Sequence, residues 1–391
     1  MTAETKPSID TMDLTDAIER VLAVCREHSN EAEEQRRLPE AVIETMRQEK
    51  LFSLWVPREY GGLEAPLPDF LRAVERLATE DAAVGWTFAI LAAGPLLSAS
   101  LPAPGGEQVF AGGANTSAPG SVVPNGRAIP VEGGYRLSGR WPLASGVQFG
   151  DWVGTTAVVI EGDAPRMLGP MPDLHTMFVR PEDCQFIDTW HSLGMRGTGS
   201  IDFVVEDVFV PAERASSLFG SAPQVSGALY KAGPLLLFSM AIASVLPGIA
   251  RSAIDAFVEL AKAKTPTLSQ TGLATRPTIH AEVAKAEAQL QSARTFFYAV
   301  ADEVMTAVEG AGAVPEDLEA RRRLACAHLA DACRSVVDSM FTLAGSTPIY
   351  TGHRLERCLR DIHTAGQHLV VSPVWWEKTG QYYFGLGLGM P

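Results

Sequence analysis

Three short stretches carry side chains whose types and spacing could do chemistry. In the run Gly134-Tyr-Arg-Leu-Ser-Gly-Arg-Trp-Pro-Leu-Ala-Ser-Gly146, Ser145 follows an aromatic-bearing segment and stands between Ala144 and Gly146. Its hydroxyl could serve a ligand, or it could cap its own backbone at a turn. Gly197-Thr198-Gly199-Ser200 sets two glycines and two hydroxyls just ahead of a run rich in β-branched residues. Such a loop can bring N–H groups and hydroxyls close to a phosphate or the edge of a ring, and a plain β-turn uses the same residue types. The third stretch, Arg357-Cys-Leu-Arg-Asp-Ile-His-Thr-Ala-Gly-Gln-His368, holds His363 and His368. Histidine titrates near neutrality, so His368 could move a proton or orient a reactant. A helix-end histidine bonded to a carbonyl is the structural alternative.

The spacing of apolar residues predicts the elements that must hold these groups. Residues 13–25 alternate apolar and charged side chains at helical spacing, and Pro39 can open a second helix with Val42, Ile43 and Met46 on one side. Trp55-Val-Pro-Arg-Glu-Tyr-Gly-Gly-Leu63 breaks helicity, and helices over 68–78 and 82–101 follow. From about Thr116 the texture becomes that of strands: a hairpin turn at Gly133-Gly134 leads into 135–141, and runs rich in β-branched residues follow at 152–160, 175–180 and 201–210. After Pro211 helices return over 235–263, 279–309 and 315–344, with shorter ones over 355–368 and 375–383. The expected fold is α+β: an N-terminal helical domain (1–115), a central antiparallel β-domain (116–222) and a C-terminal helical bundle (223–391). It lacks the βαβ rhythm of a Rossmann fold.

Composition narrows the function classes. The 391 residues are 46% apolar, enough for two or three cores. With 32 basic against 46 acidic residues the net charge is -14, which argues against nucleic acid or an anionic membrane as the main partner. Five cysteines without a C-x-x-C pair suit unbridged thiols in a reducing compartment. Cys326 and Cys333 share a helix face but His328 points elsewhere, so a metal reading is weak. Residues 1–14 have no basic region followed by an apolar one, unlike a secretory signal, and a cytoplasmic location is expected. The uncharged stretches 82–106 and 233–250 are broken by Gly and Pro and read as buried helices rather than membrane spans. No Gly-rich dinucleotide fingerprint follows a strand, so a nicotinamide site is not expected.

Taken in order and at these separations, the segments resemble the acyl-CoA dehydrogenase superfamily, from the Tyr60-Gly-Gly62 turn to the last helices. The most specific match is Leu193-Gly-Met-Arg-Gly-Thr-Gly-Ser200 leading into Glu206-Asp-Val-Phe-Val-Pro211. The resemblance implies a flavin held by a β-domain between two helical domains, a C-terminal four-helix bundle and a homotetramer. It assigns Trp141, Ser145, Gly146 and the loop Arg196, Gly197, Thr198, Gly199, Ser200 to the flavin site. Thr116 and Ser117 stand where the dehydrogenases carry a Thr-Glu-Pro flavin segment, although that motif is absent. Arg276, the first basic residue before a bundle helix, is placed to reach a flavin phosphate, its own or that of a neighbouring subunit. Trp86 falls where relatives line the substrate pocket.

Dehydrogenation requires a carboxylate base to remove an α-proton as hydride leaves. None follows Arg360-Asp361 in the segment to Pro373, and residues 231–253 contain no Asp or Glu. The pattern Arg-Asp-x-His-x4-His, with Trp141 and Ala144-Ser-Gly146, is instead similar to the two-component flavin monooxygenases of this superfamily. That branch implies reduced FAD, or FMN, reacting with O2 to a C4a-hydroperoxide, and an aromatic substrate, phenolic or indolic. A separate NAD(P)H:flavin reductase would supply the reduced flavin. His368 matches the histidine facing flavin and substrate, and Ser145 the hydroxyl beside flavin N5. An amine or amino-sugar N-hydroxylase would share this chemistry. An acyl-CoA dehydrogenase would need a base not found, and the retained Ser145 and Gly197–Ser200 loop argue against a flavin-free scaffold. His191 gains no role from this reading.

Overall fold

Helix-forming runs dominate residues 11–109 of the computed structural model, which describes residues 11–389. Most of the polar N-terminal stretch read against a secretory signal, residues 1–10, lies outside the described residues. Five helices come first: α1 (Thr11–Gln35), α2 (Glu40–Gln48), α3 (Leu67–Glu80), α4 (Ala82–Ala93) and α5 (Ala103–Val109). In α3, Phe70, Leu71, Val74, Leu77 and Ala78 recur at helical spacing and are all buried. Helix α4 is buried on every side, and each of its large apolar side chains contributes about 1.5–3 kcal/mol by leaving water. The Asp81 side chain accepts from Ala83 N and Val84 N and so caps α4. The expected helix 82–101 is shorter than its apolar run: from Gly94, with Pro95 next, the chain continues as a 3₁₀ segment to Ser100.

The middle of the chain forms β1 (Gly120–Val131), β2 (Gly134–Ala144), β3 (Val153–Glu161), β4 (Ala164–Pro165), β5 (Met167–Leu168), β6 (Met171–Pro172), β7 (Leu174–Val179), β8 (Gln185–Ile187), β9 (Ile201–Pro211) and β10 (Ala215–Ser217). The main sheet runs β10-β7-β3-β1-β2-β9-β8, with β4 on β3, and β5-β6 stands apart as a ribbon. Gly133, at φ +78°, makes the β1–β2 hairpin turn that the glycine pair predicted. The sheet is mixed rather than antiparallel, because β1 pairs in parallel with β3. After β2 the chain crosses over through residues 145–152 and returns along the other edge of β1, so its direction there matches that of β1.

The last third comprises α6 (Pro234–Ala243), α7 (Val245–Ala263), α8 (Pro277–Gly310), α9 (Glu316–Ala344), α10 (Arg354–Ala365) and α11 (Val374–Tyr383). The expected helix 235–263 is two helices meeting at Ser244. Pro247 has no N–H to donate four residues back, and it is tolerated in the first turn of a restarted helix. Helices α3, α4 and α7 meet at Ala78: a Cβ on Gly85 or on Gly248 would fall 2.7 Å from the Ala78 Cβ, so both crossings require glycine. The first and last helical segments share one continuous core, while the sheet has its own around Trp141 and Phe203. Two helical stretches, Ala82–Ser100 and Pro234–Ala263, are long and apolar enough to cross a membrane; 89% and 78% of their windows are buried inside the fold, as expected of core helices.

Candidate active site

The chain ends of β2 and β9 are brought together by a bulge. Strand register shifts between Trp141 and Ala144, Leu143 takes φ +59° and Gly146 φ +63°, and Gly146 N–H donates to Thr198 O at 3.0 Å. The turn after β2 is thereby tied to the loop before β9. These turns, α4, α6 and the segment after α10 enclose a cavity of about 610 Å³. One side carries the hydroxyls of Ser145, Thr198 and Ser200; Trp86, Phe238 and His368 supply aromatic surface.

The hydroxyls form a continuous row. Trp86 Nε1–H donates to Ser145 Oγ at 3.0 Å, Ser145 Oγ lies 2.6 Å from Ser200 Oγ, and Ser200 Oγ lies 2.7 Å from Thr198 Oγ1. Thr198 Oγ1–H then donates to Met195 O at 2.8 Å. Met195 is itself held at φ +54°, an unusual conformation for a non-glycine residue. Helix α10 holds it there: Met195 N–H donates to Asp361 Oδ1 at 2.5 Å and Gly194 N–H to Thr364 Oγ1 at 3.0 Å. Burial pushes the Asp361 carboxyl up to about 7, against the opposing pull of the Met195 N–H bond.

His368 opens the turn after α10, and its Nδ1 accepts from Val370 N–H at 3.3 Å. That contact leaves the ring proton of the neutral imidazole on Nε2. The Trp86 indole stands edge-on with ring centroids 5.5 Å apart, and Phe238 lies at 6.1 Å. Burial pulls the His368 pKa down to about 4, so near pH 7 it is a neutral N–H donor and not a cation. His363, also on the cavity wall, has its Nε2 2.8 Å from Asp338 Oδ1. The folded pKa of His368 lies below its ordinary value of 6.5, so the unfolded chain takes up a proton first as pH falls. Stability contributed by the neutral ring is full above about pH 6.5 and is lost on descending to about pH 4. Urea midpoints measured across that window are expected to fall less steeply in His368→Gln than in the parent protein.

Of the residues singled out from sequence, Trp86, Ser145, Thr198, Ser200 and His368 meet at this cavity. The others do not line it, each for a visible reason. Trp141 is fully buried in the sheet core, stacked on Phe203 with Nε1–H donating to Thr156 O at 2.8 Å. Gly146 sits behind the wall against Thr87, and Gly197 against Ala83 and Ala32. Gly199, at φ +53°, backs onto Gln148. Arg196 turns toward α1, its Nε 3.2 Å from Glu33 Oε1. Thr116 donates to Gly113 O, and Ser117 joins Asp151 and Arg47 in a separate cluster. Arg276 caps the start of α8, and His191 is exposed. Sequence reading passed over Ser121, Leu143, Phe238 and His363 as wall residues. Pro119-Gly-Ser121 at the start of a strand was a usable signal for the first; Phe238 in an apolar run gave none.

A hydrogen-bonding wall facing aromatic surface suits a flat heteroaromatic group with polar ring edges. Two buried atoms behind that wall, Thr87 Oγ1 and Gln148 Oε1, have no hydrogen-bond partner among the described residues.

Comparison with known proteins agrees with this geometry. Residues 12–100 match the family described as acyl-CoA dehydrogenase, N-terminal domain, and residues 240–373 match acyl-CoA dehydrogenase, C-terminal domain. The chain is 33% identical to indole-3-acetate monooxygenase of Pseudomonas putida, over 92% of this chain and 90% of that protein. It is 28% identical to the flavin-dependent monooxygenase oxygenase subunit HsaA of Rhodococcus jostii (strain RHA1), over 91% and 94%. Among solved structures, XiaF from Streptomyces sp. in complex with FADH2 and glycerol superposes with a TM-score of 0.90 at 25% identity, covering 97% of each chain.

Proposed function

Because the chain belongs to the acyl-CoA dehydrogenase family, in its flavin-dependent monooxygenase branch, we propose that the 610 Å³ cavity takes reduced flavin and an aromatic substrate, phenolic or indolic, and hydroxylates that substrate. The observation that carries the reading is the convergence of Ser145, Ser200, Thr198 and His368 on one cavity with no Asp or Glu among its described lining residues. A dehydrogenase working there would lack its carboxylate base.

Bound reduced flavin supplies the electrons and activates O2, from which one oxygen atom passes to the substrate ring. The residues do the rest. Ser145 offers its oxygen to a donor on the flavin edge. His368 directs Nε2–H into the cavity, where it orients a phenolic oxygen; an indole N–H would require the imidazole proton to move to Nδ1 and the Val370 contact to break. Trp86 and Phe238 exclude water, which protects the reactive flavin from unproductive decay. FAD is favoured over FMN because XiaF, solved with FADH2, is more similar to this chain (TM-score 0.90, 25% identity) than KijD3, solved with FMN (TM-score 0.79, 20% identity). Arg276, at the head of α8, is the candidate for a flavin phosphate reached from a neighbouring copy.

A separate flavin reductase is inferred from the relative described as an oxygenase subunit. Exposed apolar side chains at Tyr350, Phe384 and Leu386 support self-association, and a homotetramer is inferred from the family alone. We divide the chain into working parts at 1–115, 116–222 and 223–391 and assign it to the cytoplasm. The test mixes protein with anaerobically reduced FAD, and separately FMN, against oxygenated buffer in a stopped-flow spectrometer, with and without a phenol or an indole. The expected result is delayed reoxidation through a transient near-ultraviolet band, and one ¹⁸O atom from ¹⁸O2 in the product. Reoxidation as fast as that of free flavin, with no oxygenated product, would overturn it.

A further inference from the structure

The hydroxyl row has a direction, and both of its ends set it. Met195 O can only accept, so the single proton of Thr198 Oγ1 is spent on it. Thr198 must then accept in its 2.7 Å contact with Ser200, which commits the Ser200 proton to Thr198. Ser200 in turn must accept in its 2.6 Å contact with Ser145, which commits the Ser145 proton to Ser200. At the other end the Trp86 indole can only donate, and it takes one lone pair of Ser145. What Ser145 has left to offer the cavity is one lone pair and no proton.

Resting on the reading that this cavity takes flavin, we propose that Ser200 and Thr198 are positioning residues: the row Trp86–Ser145–Ser200–Thr198–Met195 fixes the Ser145 hydroxyl as an acceptor toward the flavin, able to take the N5–H of reduced flavin and unable to donate to the bare N5 of oxidised flavin. They act only by orienting the Ser145 hydroxyl.

The test measures dissociation constants of FAD and of reduced FAD under anaerobic conditions, and needs no turnover. In Ser200→Ala the Ser145 proton loses its acceptor and is free to turn to oxidised N5. In Thr198→Val, Ser200 can reverse and donate to Ser145, releasing the same proton. Both variants are expected to lower the ratio of the two constants by about tenfold, the weight of one hydrogen bond. For a two-electron couple that equals a fall of about 30 mV in the potential of the bound flavin. Thr198→Ser keeps both the acceptor and the donor and should preserve the parent ratio. Parent-like ratios in both Ser200→Ala and Thr198→Val would overturn the proposal while leaving flavin binding intact. Failure of the parent protein to bind either form would instead remove the functional reading on which it rests.

Discussion

Replacing His368 with alanine is expected to lower the product formed per reduced flavin oxidised by about 100-fold, the order of the loss on removing one preorganised hydrogen-bond donor at a reacting centre. The affinity for reduced FAD should stay within about threefold, since the hydroxyl row of Ser145, Ser200 and Thr198 does not involve the imidazole. Nδ1 is occupied by Val370 N–H, Trp86 and Phe238 pack against the ring, and Nε2–H is the group left for a reactant. Quantifying product against oxygen and reduced flavin consumed separates coupling from binding. Coupling equal to the parent's would remove His368 from the chemistry. Because burial holds the His368 pKa at about 4, the parent's coupling should also show no inflection between pH 6 and pH 8 attributable to this ring.

The second large effect belongs to a residue that does not touch the cavity. Asp361→Ala should destabilise the protein by about 1–3 kcal/mol, the usual cost of leaving a buried N–H unsatisfied, here that of Met195. Flavin affinity should fall with it, because Met195 O anchors the hydroxyl row and the strained Met195 backbone has lost its restraint. Asp361→Asn keeps an oxygen for Met195 N–H and should restore both properties. The two carboxyl forms also give the variant a distinctive pH signature. The folded pKa of about 7 lies above the ordinary 3.8, so the folded state holds a proton that the unfolded chain gives up. Stability from this group is present below about pH 4 and is lost as pH rises through about 7. Asn does not titrate, so urea unfolding of Asp361→Asn at pH 5.5, 7 and 8.5 should lose less stability over that span than the parent. Identical pH profiles would show that Asp361 is not protonated in the folded protein.

The pH responses of His368 and Asp361 run in opposite directions for one physical reason. Burial disfavours whichever form carries charge, so it lowers the imidazole and raises the carboxyl. Both groups sit at the junction of α10 with the β-domain loops, where the helical core and the sheet meet the cavity.

What the sequence determined by itself was the order of helices, strands and helices, because amphipathic spacing and turn residues act within a few positions of one another. It also brought forward Ser145, Ser200 and His368, but only through the resemblance of their segments taken in order, since each local pattern by itself fits a turn or a helix end equally well. The tertiary structure decided which neighbours share their wall. Side chains alternate across a strand, so the bulge between Trp141 and Ala144 resets which residues face the cavity; it leaves Trp141 in the sheet core and brings Ser145 against Ser200. No local signal marks that bulge, since the pairing of β2 with β9 joins residues more than fifty positions apart. The same holds for the parallel β1–β3 pair and for Phe238 and His363, which reach the site through packing alone. The direction of the hydroxyl row is likewise a tertiary property, because it depends on a carbonyl at Met195 that a carboxyl on α10 holds in place.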